Sequence, residues 1–486
     1  MSLHYSIIIK MTGLISLILG ISMLPSLIVS FLYDDPSVSF AFCLSSIPLI
    51  IIGFLILFLT KNIEKSFKIR DGYFSVTFCW IAASLLGAFP YYLSGTVASF
   101  GDAIFESTAA FTTTNCSVIS NLDLPLSIVL WKAVTHWIGG LGIIIFAISI
   151  LPALGINSLK LGSPEADSPN LNKVKTKISV SSKTLYLIYL GLTLLEFILL
   201  LFGKMGVFEA VINTLGSVST SGISTSIPSI SSYDSFYIES IITVFTFLAS
   251  INFMLYFFAF NGKWKTVLRD TELRTFILII FISFVIVSTT LFTSGTYSTL
   301  NEAMRIGIFQ TVAFSTTSGY FITDYTLWPT FTLSILFTLM FIGGCAASTC
   351  GSFKVIRFVV LIKLILRGFR KRLHPRSVVA VRLGNSVVSA ETVSSITVFA
   401  MLYLMIYLFT ALVLSLDNLD MTTTLTASAG ILSNTGIAFG EIGPTADFSI
   451  FSPPIRLFIS FMLIVGRLEL MTVLLLFTPY FWNLEK

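Results

Sequence analysis

Five stretches of this 486-residue chain, 39–60, 240–262, 275–301, 325–353 and 392–416, contain no Asp, Glu, Lys or Arg. Each exceeds the ~20 apolar residues that carry a helix across the hydrocarbon core of a bilayer. In lipid every backbone N–H and C=O must be satisfied within the protein, so such stretches fold as helices. Apolar runs beginning near residues 11, 39, 73, 133, 184, 240, 275, 325, 392 and 457 predict about ten of them. A soluble domain carries ~25% charged residues; this chain has 11%, with 55% hydrophobic residues. The fold class expected is an all-α integral membrane protein. The run at 11–33 is too long for a signal sequence and lacks a small-residue cleavage site, so it counts as a helix.

Charge orders these helices. With the N-terminus inside and the spans alternating, the inner side collects Lys61, Lys65, Lys68 and Arg70, then Lys160, Lys173, Lys175, Lys177 and Lys183. Lys263, Lys265, Arg269 and Arg274 follow, and then a basic stretch running from Lys354 to Arg382. Together with Lys10 and Lys486 these are 24 of the 29 Lys and Arg residues, which places both termini in the cytoplasm. The outer side collects 14 of the 24 acids, among them Asp34, Asp102, Glu106, Asp123, Asp234, Glu239, Asp417 and Asp420. An acidic mouth draws in cations. Of the remaining charges, Lys132 is expected to snorkel at the outer boundary and Glu196 to pair with another helix.

Other function classes lack their residues. Cys43, Cys79, Cys116, Cys345 and Cys350 are scattered and odd in number, and His4, His136 and His374 are far apart, so neither a disulfide framework nor a metal site is indicated. No Gly-rich phosphate loop with Lys-Ser/Thr and no haem-spaced histidines occur. The chain is not expected to be an enzyme, to hold a cofactor or to bind nucleic acid.

A repeat does stand out. Residues 111–115 (FTTTN), 219–222 (STSG), 315–319 (STTSG) and 433–436 (SNTG) resemble one another and end at Asn115, Gly222, Gly319 and Gly436, at intervals of 107, 97 and 117 residues. Each follows a span and a short semi-apolar stretch, 101–112, 207–218, 301–314 or 418–431, and each precedes another span. About twelve residues make a helix of only ~18 Å, too short to cross ~30 Å of hydrocarbon. Such segments must dip in and return, which is tolerated where backbone lines a watery cavity or is buried in protein. Four dips about one axis would make a pore, divided as units 66–165, 166–266, 267–375 and 376–486, with residues 1–65 as an accessory two-helix hairpin. Stripping water from a monovalent cation calls for fixed oxygens, and rings of backbone carbonyls supply them without a trapping charge. The expected ion-binding carbonyls are those of Thr113, Thr114, Asn115, Thr220, Ser221, Gly222, Thr317, Ser318, Gly319, Asn434, Thr435 and Gly436. Short helices would aim their negative C-terminal ends at the ion.

At these residues the chain resembles the membrane subunit of the bacterial Trk potassium uptake system, of the TrkH/TrkG type within the Trk/Ktr/HKT superfamily. The likeness includes WIGGLGI at 137–143 running to Leu151-Pro152, Asn252-Phe253, DTELR at 270–274 and GGC at 343–345. It continues through STCG at 348–351 to Lys354, HPR at 374–376 and GRLE at 466–469. The resemblance implies potassium as the transported ion, one pore per subunit, a homodimer in the lipid of the inner membrane, and a cytoplasmic nucleotide-binding regulatory partner of the TrkA kind. It also implies a gate beneath the filter, formed by the small-residue run 343–352, with Gly343, Gly344, Ser348 and Gly351, and by Arg467. Read from residue types alone, that run suits close helix packing equally well. The basic stretch 363–382 suits either a docking surface or lipid headgroups. One departure is plain: Asn115 stands where the family pattern has Gly. Asn takes left-handed backbone angles more readily than most residues, so the loop is expected to keep its shape while discrimination between potassium and sodium relaxes. The alternatives to gated potassium uptake are a potassium/sodium pathway of relaxed selectivity and a cation-coupled secondary transporter. The latter class is built from two inverted repeats rather than four parallel ones.

Overall fold

The computed structural model describes residues 5–61, 69–119, 124–150, 171–224, 229–377, 379–384, 386–444 and 447–482. Among the features expected from sequence, His4, Lys65, Lys68, Asp123, Leu151-Pro152, Lys160, Lys486 and the unit boundaries at 65 and 165 lie outside them.

Helix α1 (Tyr5–Ser22) runs almost straight into α2 (Leu24–Tyr33), and α3 (Pro36–Leu59) returns alongside. Small residues let these backbones close up. A Cβ on Gly53 would stand 2.6 Å from the Leu17 nitrogen, and one on Gly20 would stand 2.9 Å from that of Ile50. At the hairpin tip the Asp34 carboxylate accepts the Leu126 and Ser127 N–H groups, each at 3.0 Å. It thereby satisfies two orphan donors at the start of the helix beyond the first loop. Asp34 fastens the accessory hairpin to the first unit.

The rest of the chain repeats one plan: long helix, short helix, loop, second helix. The first unit holds α4 (Ile69–Gly87) with its continuation α5 (Phe89–Leu93), the short α6 (Phe100–Phe111) and α7 (Leu126–Ile150). The second holds α8 (Leu171–Phe202), the short α9 (Val207–Val218) and α10 (Phe236–Ala249), which breaks by 92° into α11 (Phe253–Phe260) and is followed by α12 (Trp264–Leu268). The third holds α13 (Thr271–Thr293), the short α14 (Leu300–Ser315), α15 (Thr330–Phe341), the two-residue strands β1 (Ile342–Gly343) and β2 (Phe353–Lys354), and α16 (Val355–Leu373). The fourth holds α17 (Ala390–Leu414), the short α18 (Met421–Leu432) and α19 (Pro453–Arg467), followed after a bend of 110° by α20 (Met471–Leu474).

Three of the four short helices start where a side chain caps them. Ser99 accepts the Asp102 N–H at 3.0 Å, Thr299 that of Glu302 at 3.3 Å, and Asp420 that of Thr422 at 2.9 Å. At α9 the capping position is Gly206, which has no side chain to offer.

Six helices among the described residues are long and apolar enough to cross a membrane, eight if each bent pair is one span. The two further spans expected near 133 and 325 correspond to α7 and to α15 followed by α16. The latter is not a continuous crossing. With twelve residues α15 reaches only ~18 Å before the chain leaves the helix. Likewise the spans expected near 240 and 457 are broken, at Ser250–Asn252 and at Leu468–Leu470. Asn252 caps the new helix by accepting the Met254 N–H at 2.9 Å.

Candidate functional site

The four short helices end alike. Thr112, Ser219, Thr316 and Ser433 close the last turn, their N–H groups donating to the carbonyls of Thr108, Leu215, Val312 and Ala429 at 2.9, 3.3, 2.9 and 2.9 Å. The next residues, Thr113, Thr220, Thr317 and Asn434, turn left-handed, with φ of 54°, 53°, 57° and 56°. The residues after those, Thr114, Ser221, Ser318 and Thr435, send their N–H groups back to Ala109, Gly216, Ala313 and Gly430 at 2.9, 2.9, 3.1 and 2.9 Å. This is a Schellman turn, usually made with Gly and sometimes Asn at the left-handed position. Three of the four here are Thr, although a left-handed residue with a Cβ costs about 1–2 kcal/mol. Strain set at equivalent places in every repeat is the kind that packing must hold and function retains.

Two residues further on, Gly222, Gly319 and Gly436 have φ of 69°, 72° and 76°. Asn115 does not share this angle, which corrects the expectation that it would take the left-handed form. The turn at Thr113 survives, but the first loop leaves it by a different path. The Asn115 side chain instead donates from Nδ2 to the Gly319 carbonyl at 2.8 Å, across 204 residues of sequence.

The loops meet in a closed ring. A Cβ on Gly222 would collide with the Ser318 carbonyl oxygen and come within 3.0 Å of Asn115 Nδ2. One on Gly319 would stand 2.5 Å from the Thr435 carbonyl oxygen, and one on Gly436 would stand 2.5–2.7 Å from the Asn115 backbone. Thus loop 1 abuts loop 2, 2 abuts 3, 3 abuts 4, and 4 abuts 1. The helix C-termini of all four units lie buried beside this ring.

Against the ring lies the segment between α15 and α16. Its two ends pair in parallel, Ile342 with Phe353 and Gly343 with Lys354, so the chain leaves one helix, loops and returns beside its starting point. Broken ends of α10 and α11 hold it: Cys345 N–H donates to Ser250 at 2.9 Å, Thr349 Oγ1 to Ala249 at 3.1 Å, and Phe253 N–H to Ala347 at 3.1 Å. The buried Glu272 carboxylate spans its two limbs, accepting the N–H groups of Ala346 at 2.7 Å and Ile356 at 3.2 Å. The Lys354 amine donates to the Cys350 carbonyl.

The segment touches three of the four strained residues. The Thr220 hydroxyl donates to that of Thr349 at 3.3 Å, and Gly351 N–H donates to Thr317 Oγ1 at 2.9 Å. A Cβ on Gly351 would strike the Ser433 carbonyl oxygen and lie 3.0 Å from Asn434 Cβ. Of the other small residues singled out from sequence, Gly343 packs on the Gly351 carbonyl and Gly344 on the Cys350 side chain. The Ser348 hydroxyl closes the loop internally on the Cys345 carbonyl at 2.6 Å.

Arg467 is fully enclosed, at 2% exposure, and is the last residue of α19 rather than an interior one. Nη1 donates to the Thr349 carbonyl at 2.8 Å and Nη2 to the Gly139 carbonyl at 3.3 Å, tying the fourth unit to the segment and to α7. No carboxylate among the described residues pairs with it; Glu469 is taken by Arg357.

Outer charges are less free than expected. Lys132 does not snorkel: it is bonded to Glu106 at 2.9 Å. Arg305 holds Glu239 at 2.7 Å and Asp234 at 3.4 Å, and Arg456 holds Asp102. Asp102, Asp234 and Glu239 stitch repeat to repeat, Glu106 ties α6 to α7 within the first, and each contributes less than a full charge to the mouth. Glu196 finds its partner on another helix, but it is a hydroxyl, Ser217 on α9, at 2.5 Å.

Comparisons with known proteins agree with this architecture. The family model described as TrkH, cation transport protein, matches residues 38–483. The chain is similar to the Trk system potassium uptake protein TrkH of Vibrio parahaemolyticus, with 32% identity over 99% of this chain and 100% of that one. It is also similar to TrkG of Escherichia coli K12, with 30% identity over 99% of both. The crystal structure of the potassium transporter TrkH from Vibrio parahaemolyticus superposes with a TM-score of 0.90, at 31% identity, over 99% of this chain and 100% of that one.

Proposed function

The chain belongs to the TrkH family of cation transport proteins, and on that premise we propose that it takes up potassium across the bacterial inner membrane through one gated pore. The reading is carried by the ring of four like turns, each strained at the same residue and each packed on its neighbours. Backbone oxygens of Thr113, Thr114 and Asn115 and of their counterparts in the other loops replace the ion's water. The repeated Schellman bonds fix where those carbonyl oxygens stand. The segment 343–352 and Arg467 form the gate beneath the ring. Both termini lie in the cytoplasm, the subunit pairs with a second copy, and a TrkA-type partner governs the gate; the basic end of α16, with Arg370, Lys371 and Arg372 exposed, suits that partner. Purified protein in vesicles tests the proposal. Its reversal potential should follow the potassium gradient; a potential indifferent to potassium, or uptake that requires an organic solute, would overturn it.

Relaxed selectivity has an observation of its own. Asn115 lacks the backbone angle of the three glycines and occupies one lone pair of the Gly319 carbonyl. A coordinating oxygen so engaged binds an ion more weakly, and the ring loses fourfold symmetry. Asn115→Gly frees that oxygen and should raise the potassium-over-sodium permeability ratio by about three- to tenfold, a change of about 1 kcal/mol. Bi-ionic reversal potentials measure it, and an unchanged ratio would show that this position does not tune the filter.

A further inference from the structure

We infer that a polar side chain on the short helices of the first, third and fourth units latches the outgoing limb of its own loop, and that the first unit's latch, Glu106 with Lys132, positions the Asn115 loop for ion discrimination. The inference rests on the reading of the four loops as an ion filter.

Glu106 is completely buried on α6. One of its oxygens accepts both the Ser117 hydroxyl and the Val118 N–H, each at 2.6 Å, two and three residues beyond Asn115. The other accepts the Lys132 amine at 2.9 Å, and that amine also donates to Ser117 Oγ at 3.1 Å. The same contact recurs where the repeat would place it. Gln310 is the third-unit counterpart of Glu106 and Ile322 that of Val118, and the Ile322 N–H donates to Gln310 Oε1 at 3.3 Å. In the fourth unit the counterpart of Val118 is Phe439, whose N–H donates to Thr426 Oγ1 at 2.9 Å, one residue before the position equivalent to Gln310. In the second unit the equivalent helix residue is Asn213, and its loop counterpart, residue 225, lies outside the described residues. Three loops therefore make one contact with three different side chains: a carboxylate, an amide and a hydroxyl.

Only the first is charged. Bonds to an ionised acceptor are shorter and stronger than neutral ones. The charge brings its own cation from α7, so no unpaired charge is left buried. The strongest latch thus stands on the one loop that lacks a glycine at its fourth position. Ser117 is gripped from a second side as well, its carbonyl accepting the Phe448 N–H at 2.8 Å. The chain after Asn115 is held independently of the backbone angle that the other loops obtain from Gly.

Two double variants separate positioning from mere folding, because both remove the charge pair together and strand no ion. Glu106→Gln/Lys132→Met rebuilds the neutral latch of the third unit; Glu106→Ala/Lys132→Met removes the acceptor. In vesicles the first should keep the potassium-over-sodium permeability ratio within about twofold of the parent, and the second should lower it about tenfold as Val118 N–H loses its partner. A folded Ala/Met variant with the parental ratio overturns the inference. If that protein cannot be recovered, Gln310→Leu serves in its place and should lower the ratio in the same direction; an unchanged ratio there overturns it equally. Gly319→Ala measured in parallel tells the two readings apart. If it shifts the ratio while the latch variants do not, the latch alone falls; if neither shifts it, the filter reading falls.

Discussion

Gly319→Ala should give a protein that inserts and folds but no longer prefers potassium, with the potassium-over-sodium permeability ratio reduced by one to two orders of magnitude. Two costs meet at this residue. The left-handed angle, φ 72°, costs an L-residue about 1–2 kcal/mol. That cost alone is not decisive, since Thr317 two residues earlier bears it in the same loop at φ 57°. Space decides. The new methyl would stand 2.5 Å from the Thr435 carbonyl oxygen and 2.9 Å from Asn115 Cβ. The Thr435 oxygen is main chain, held in a turn whose own N–H is bonded to Gly430 at 2.9 Å, so it cannot rotate aside as a side chain would. Loop 3 or loop 4 must shift by several tenths of an ångström, which displaces oxygens of the ring proposed as the filter. If about 1.4–3 kcal/mol of the difference between ions is lost, the ratio falls roughly ten- to a hundredfold. Circular dichroism and gel filtration should match the parent while bi-ionic potentials collapse toward zero. A parental ratio would show that Gly319 does not line the ion's path.

Much of this was legible in the chain itself, and the physical reason differs by feature. Membrane residence follows from runs such as 392–416, because lipid permits no other fold for them. The bounds of the short helices were readable to within a few residues because the expected length, about twelve, is too small to cross. That four loops should gather followed from their spacing and not from any one of them. Other features left no trace in residue type. Thr is a poor choice for a left-handed turn, so nothing marked Thr113, Thr220 and Thr317 as the strained positions; only their alignment with Asn434 could have done so. Asn115 drew attention by its identity, yet what it does, reaching to Gly319, depends on a partner 204 residues away. The same holds for Asp102 with Arg456, which lies 354 residues away in the fourth unit. Outer acids look free in one dimension and prove to be ties between units in three. The breaks after Ala249 and Arg467 were also hidden. At the second, Glu469 and Leu470 take φ of 58° and 51° with no Pro nearby and no Gly at either position, and surrounding contacts impose the bend.

Arg467 carries the second large expectation: Arg467→Gln should raise potassium flux through the unstimulated protein about tenfold, while Arg467→Lys stays within about twofold of the parent. The argument rests on what the guanidinium lacks. It is enclosed at the junction of α19, α7 and the segment between α15 and α16, and its bonds go to carbonyls of Thr349 and Gly139. Two carbonyl dipoles bond its Nη groups but do not cancel a full charge, and no carboxylate among the described residues pairs with it. A cation passing about 10 Å away, at an effective dielectric of about 20, meets repulsion of roughly 1.7 kcal/mol. Removing that repulsion is worth somewhat more than a factor of ten. A competing account makes Arg467 a strut, holding Thr349 so that Gly351 stays against loop 4. The strut account needs the fork that bonds two carbonyls at once, which Lys cannot reproduce. Lys keeps the charge and loses the fork, so the two substitutions separate the roles. Flux raised in both variants would assign Arg467 to holding the segment closed. Flux raised in Gln alone assigns it to the electrostatic barrier, and flux unchanged in Gln would remove it from the ion path.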